Sequence, residues 1–124
     1  MRVLIVEDEP AIAQDIEAIA LSEGFAIAGI ATNAREAMEL APEADVAILD
    51  VRLTDGLTGP EIAKELVYRF RIGVVYLTGN PDLLADQNVV NVVAKPPDKQ
   101  KVIRGLRMAA AWRREQTSRG ARPT

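Results

Sequence analysis

The chain has 124 residues, 48% of them hydrophobic, a formal net charge of −3, and neither cysteine nor histidine. That is the length of one domain, with enough apolar residues for a core that takes roughly two-thirds of the unfolded surface out of water. The missing residue types exclude a disulfide framework, a thiolate nucleophile, a Cys/His zinc site and any triad with an imidazole base. Chemistry falls to carboxylates, hydroxyls, lysine, arginine or a metal held by oxygen. The charge is also segregated: residues 1–98 hold 7 basic and 17 acidic side chains, and residues 99–124 hold 8 basic and 1 acidic. The opening run Val3–Val6 is too short for a signal peptide and lacks a cleavage site, and no stretch approaches the ~18 apolar residues of a membrane span. A cytoplasmic protein without membrane contact is expected.

Five short apolar runs follow one another at spacings too wide for hairpins: Val3–Val6, Ala26–Ile30, Val46–Leu49, Val74–Leu77 and Val89–Ala94. They lack polar alternation, as strands buried on both faces of a parallel sheet do. Helical segments lie between them. The first has Pro10 near its start, Ile12, Ile16 and Ile19 on one face, and Gly24 as its stop. The second opens with the capping pair Asn33 and Glu36, the third with Thr58-Gly59-Pro60-Glu61 ahead of Ile62, Leu66, Val67 and Phe70. A short fourth helix is expected at residues 80–84. The last runs from Asp98 through Val102, Ile103, Leu106, Ala109 and Ala110 to about Trp112. The alternation predicts a doubly wound, flavodoxin-like α/β domain over residues 1–114, with strand order 2-1-3-4-5, and a basic, disordered tail at 115–124. Tyr76 and Trp112 are expected in the core.

In that strand order the switch point lies between the first and third strands, and ligands bind at the carboxyl ends there. The sequence places Glu7, Asp8 and Glu9 after the first strand, Asp50 after the third, Thr78 after the fourth and Lys95-Pro96 after the fifth. Singly, such residues also serve as helix caps, turn formers or solvated charges. Together they share one sheet edge. Close carboxylates repel unless a cation joins them, and oxygen ligands without Cys or His suit Mg²⁺ better than a calcium cage. With Lys95 as a second positive centre and Thr78 as a donor, the set describes a receptor for a phosphoryl group with a carboxylate nucleophile.

With these residues the chain, over about residues 1–112, resembles the receiver domain of two-component response regulators. The resemblance implies that Asp50 is the phosphoacceptor, charged by a phosphohistidine of a sensor histidine kinase or histidine phosphotransfer protein. It implies Mg²⁺ held by Glu7, Asp8, Asp50 and the backbone carbonyl of Arg52, with Lys95 pairing to the phosphoryl group and Thr78 moving to hydrogen-bond it. Lys95-Pro96 is often cis in such domains. Arg52 and Asn80, two residues after Asp50 and Thr78, are expected to set the lifetime of the acyl phosphate. Such a chain is a signalling phosphoacceptor that catalyses only its own phosphorylation and dephosphorylation.

The chain departs from the family pattern in several places. Val92 stands where receivers usually carry Tyr or Phe, so the usual aromatic switch is missing. Thr54 replaces a common proline, Gly59 arrives one residue late, and Pro97 follows Lys95-Pro96. The loop after Asp50 is accordingly expected to be longer and more mobile. Threonine-glycine without a switch aromatic resembles the single-domain FAT GUY regulators. A dehalogenase-type phosphatase would need an acid/base Asp where Arg52 stands, and no G-x-G-x-x-G or Walker run is present. No helix-turn-helix follows residue 112, so no direct nucleic-acid contact is expected. The chain reads as a stand-alone receiver working through an unknown output protein or as a phosphate sink. The alternatives are an interaction module independent of phosphorylation and a fragment of a longer regulator. The strip Lys101, Arg104, Arg107 is expected to be a solvated face, or to contact an acidic partner or a second copy in a homodimer.

Overall fold

The computed structural model describes residues 1–53, 56, 58–80 and 91–120. Its elements are β1 (Arg2–Val6), α1 (Pro10–Ser22), β2 (Ala26–Ala31), α2 (Ala34–Leu40) with a 3-10 turn at Ala41–Glu43, β3 (Val46–Asp50), α3 (Gly59–Phe70), β4 (Gly73–Thr78), β5 (Val92–Ala94) and α4 (Lys99–Gly120). The five strands are all parallel, in the order β2-β1-β3-β4-β5. The expected helix at 80–84, the run before Asn91, Thr54 with its loop neighbours Asp55 and Leu57, and residues 121–124 lie outside the described residues, apart from Asn80 itself.

The two faces of the sheet explain the continuous apolar runs. Val3, Ile5 and Ile48 point to one side, where Ile16 and Ala20 of α1 and Val102 and Leu106 of α4 cover them. Leu4, Val6, Ala47 and Leu49 point to the other, beneath Ala37 of α2 and Ile62 and Leu66 of α3. Val3–Val6 of β1 and every residue of β3 are therefore buried, and a polar side chain between the two helical layers would lose water without gaining a partner; Asp50, at the carboxyl end of β3, meets Lys95 and the Arg52 N–H. Tyr76 is half-buried against the second cluster, and burial raises its pKa.

Helix ends follow local chemistry. Gly24 takes φ 86 after α1, while the Phe25 N–H donates to the Ala20 carbonyl and the Gly24 N–H to the Leu21 carbonyl, a Schellman closure. Asn33 caps α2 by accepting from the Glu36 N–H at 2.9 Å, but Glu36 turns to the N–H and hydroxyl of Thr32 instead of completing a reciprocal box. Those bonds hold the Glu36 carboxyl below its ordinary pKa. The expected box at Thr58 is not formed: Thr58 makes no side-chain cap bond, and Gly59 instead donates to the Val51 carbonyl. The last helix also outruns its expected end near Trp112 and continues through Gly120, so residues 115–120 of the expected disordered tail are helical. Arg113 anchors this extension by donating to the carbonyls of Phe70 (2.7 Å) and Arg71 (2.9 Å) at the end of α3. No described helix is long and apolar enough to cross a membrane.

Candidate functional site

Strand register brings the distant site residues together. Val6 pairs with Leu49, Asp50 with Leu77, and Thr78 with Ala94, so the carboxyl ends of β1, β3, β4 and β5 finish nearly level. Glu7 and Lys95 extend the ladder one residue beyond their strands: the Glu7 N–H donates to the Ala31 carbonyl and the Lys95 N–H to the Thr78 carbonyl, each at 2.9 Å. The Lys95–Pro96 peptide is cis.

Glu7, Asp50 and Thr78 are the three buried polar or charged residues among those described, at 2%, 6% and 2% exposure. Lys95 Nζ lies 2.9 Å from Glu7 Oε1 and 2.9 Å from Asp50 Oδ2, bridging both carboxylates. Asp50 Oδ1 accepts from the Arg52 N–H at 3.2 Å, and Glu7 Oε2 accepts from the N–H groups of Asp8 and Glu9 at 3.0 and 3.3 Å. Glu7 Oε1 meets Lys95 Nζ as a buried ion pair and has no other partner among the described residues. Thr78 Oγ1 accepts from the Asn80 N–H at 3.0 Å.

The electrostatics follow from burial. Desolvation pushes the Glu7 carboxyl up to about 7; the Lys95 ammonium pulls against this rise and the Asp50 charge adds to it. At Lys95 burial opposes the charged form, but hydrogen bonds and charge from Glu7 and Asp50 outweigh it and hold the ammonium above its usual pKa. Glu7, Asp8 and Asp50 each offer an oxygen within 4.8 Å of the other two. Oxygens around one Mg²⁺ at ~2.1 Å stand about 3–4 Å apart, a spacing near that of these three. The buried Glu7 carboxyl, whose Oε1 meets Lys95 alone among the described residues, and the all-oxygen donor set both fit such an ion.

A cleft of about 440 Å³ opens over this edge, lined by Asp8, Glu9, Asp50, Arg52, Leu53, Thr78, Gly79, Asn80 and Lys95. Every side chain expected at the site thus lies in or beneath one cleft; Arg52 and Asn80 are exposed at its surface. An apolar hollow between Val67, Ile72, Val74, Met108 and Trp112 has no titratable lining residue among those described. Glu9, placed by the sequence at this edge without a role, brings Oε1 to 3.8 Å from Lys95 Nζ, a contact across the fold that no local pattern announces. Gly59 was not legible as a site residue. A Cβ at Gly59 would overlap the backbone of Asp50 and Val51, so glycine is what lets α3 start against the Asp50 strand. The late glycine of the sequence was the available signal. Val92 sits on β5 beside Tyr76 of β4.

The model of the response regulator receiver domain matches residues 3–107. The phyllosphere-induced regulator PhyR of Methylorubrum extorquens is 34% identical over 64% of this chain and 31% of its own length. The transcriptional regulatory protein PdtaR of Mycobacterium tuberculosis is 32% identical over 94% of this chain and 60% of its own. The chain therefore spans about a third of the first relative and three-fifths of the second. Among solved structures, the receiver domain of Erythrobacter litoralis PhyR superposes with a TM-score of 0.81 at 26% identity, covering 99% of this chain and 94% of that one. The response regulator PhyR of Brucella abortus superposes at 0.83 with 28% identity, over 97% of this chain and 51% of that one. With the five-stranded parallel order and the acid, threonine and lysine constellation already in place, the chain belongs to the response regulator receiver domain family of two-component signalling.

Proposed function

We propose that this domain is a Mg²⁺-dependent phosphoacceptor acting in the cytoplasm, and that Asp50 takes its phosphoryl group from a phosphohistidine of a sensor histidine kinase or histidine phosphotransfer protein. The observation that carries this reading is the Asp50 carboxylate itself: 6% exposed, 2.9 Å from Lys95 Nζ, and grouped with oxygens of Glu7 and Asp8. Glu7, Asp8, Asp50 and the backbone carbonyl of Arg52 would hold Mg²⁺, which neutralises phosphoryl oxygens when bound. An Asp50 oxygen forms the new P–O bond while the P–N bond of the donor breaks. The electron pair leaves with the imidazole, which takes up a proton. Asp50 enters as a carboxylate, so no base is required.

Lys95 transfers its ion pair from Asp50 to the incoming phosphoryl oxygens. Thr78 already accepts from Asn80, which leaves its own O–H to donate to the phosphoryl group. Arg52 and Asn80, exposed on the cleft, govern how water reaches the acyl phosphate. Output passes through protein contacts or through further phosphotransfer; the description of Bartonella quintana PhyR as an anti-anti-sigma factor supports a protein-contact output.

Beryllofluoride with Mg²⁺ tests the reading. Amide resonances around Asp50, Thr78 and Lys95 shift on addition, and the shifts vanish in Asp50→Asn or without Mg²⁺. A wild-type spectrum indifferent to both additions refutes it. Phosphotransfer profiling against candidate kinases then identifies the donor.

A further inference from the structure

Three carboxylates surround the Lys95 ammonium, and they are not equivalent. Glu7 and Asp50 are 1% and 8% exposed at their side chains and touch Nζ at 2.9 Å. Glu9 is 63% exposed and reaches Nζ only to 3.8 Å. It is the N-cap residue of α1, where a side-chain oxygen can accept from first-turn N–H groups and meet the positive end of the helix dipole. It makes no such bond. The carboxylate turns to Lys95 instead and lines the cleft beside Asp50 and Thr78. An exposed negative charge thus stands beside the one ammonium that a phosphoryl group must reach.

We propose that Glu9 is a specificity-determining residue that selects phosphodonors by charge, discriminating against small free dianions in favour of phosphohistidine presented by a protein. The inference rests on Asp50 being the phosphoacceptor. A free dianion approaching the cleft brings no counter-charge of its own against Glu9 and competes with it for Lys95. A protein donor gains its affinity from contacts elsewhere and can set a basic side chain against Glu9. With acetyl phosphate, Asp50 forms the P–O bond as the bond from phosphorus to the acetyl oxygen breaks, and acetate leaves with the electron pair. With phosphoramidate the P–N bond breaks and the nitrogen leaves protonated as ammonia.

The test compares adduct formation by intact mass with acetyl phosphate, a dianion, and phosphoramidate, which carries less negative charge, both with Mg²⁺. Glu9→Gln raises the acetyl phosphate rate about fivefold and the phosphoramidate rate less, as expected for one partly screened charge a few ångströms away. The gap closes at high ionic strength, and Glu9→Asp keeps the wild-type donor ratio. An unchanged thermal transition in Glu9→Gln shows that the fold is intact. If wild type is phosphorylated but the donor ratio in Glu9→Gln does not move, the Glu9 proposal alone is overturned. If wild type accepts a phosphoryl group from neither donor, the phosphoacceptor reading fails with it.

Discussion

The two edges of the sheet carry similar residue types and treat their charges in opposite ways. At the amino edge, Arg2 pairs with Glu43 at 2.8 Å and donates its backbone N–H to Asp45, while Arg113 Nε stands 3.5 Å from the other oxygen of Asp45. Two cations face two carboxylates, and Arg113 also closes the end of α3. At the carboxyl edge, Glu7, Glu9 and Asp50 converge on Lys95, with Asp8 alongside and Arg52 at the exposed lip of the cleft. The balanced edge is scaffold. The edge with surplus negative charge suits a bound cation, and its burial shows in the raised pKa of Glu7, which desolvation causes and the Asp50 charge adds to.

Substitutions that remove charge should therefore act differently at the two edges. The largest effect is expected from Lys95→Ala, which slows phosphorylation of Asp50 by about 100-fold, measured as adduct formation against time. Glu7→Gln comes next and weakens Mg²⁺ binding at least about tenfold by titration. It also has a pH signature in metal-free buffer. The folded pKa of Glu7, about 7, lies above its ordinary 4.5, so folding takes up a proton between them and wild-type stability from this group falls as pH rises across that window. The advantage of Glu7→Gln over wild type in denaturant midpoint grows from about 4.5 to 7 and then levels, and saturating Mg²⁺ removes the slope.

At the amino edge, Arg113→Ala costs about 1–2 kcal/mol of stability through lost bonds to the α3 carbonyls and leaves the phosphorylation rate unchanged. A loss of phosphorylation in that variant would erase the distinction between the edges. The smallest effect belongs to Arg71, a non-glycine residue at φ 56 after α3. Arg71→Gly relieves the left-handed strain and stabilises by about 0.5–1 kcal/mol, read by thermal unfolding.

The central strands β1 and β3 and the convergence on one edge were legible because burial on both faces writes an unbroken apolar run; β2, half-exposed at the sheet's margin, is apolar too. Val46–Leu49 was short of β3 only by Asp50, the residue where the chemistry begins. The end of α4 was not legible: after Trp112 the apolar periodicity stops, and the helix persists because Arg113 grips the end of α3, a contact 43 residues away in sequence. Thr58 looked like a cap because its neighbours fit a capping box, yet Gly59 satisfies the backbone through Val51 instead. At the site, residue identities were readable, but the near-complete burial of Glu7 and the turn of Glu9 toward Lys95 depend on how four strand ends line up. The basic strip is exposed as expected, and Arg107 spends its charge on Glu23 of the segment after α1, at 2.6 Å.

On the proposed reading, the carboxylates of the carboxyl edge hold Mg²⁺, and the ion together with Lys95 lets Asp50 accept a phosphoryl group. Intact mass after incubation with phosphoramidate and Mg²⁺ tests it most directly. A single phosphoryl adduct is predicted in wild type, absent in Asp50→Asn and absent when Mg²⁺ is chelated. No adduct in wild type, or an adduct that survives in Asp50→Asn, would contradict it.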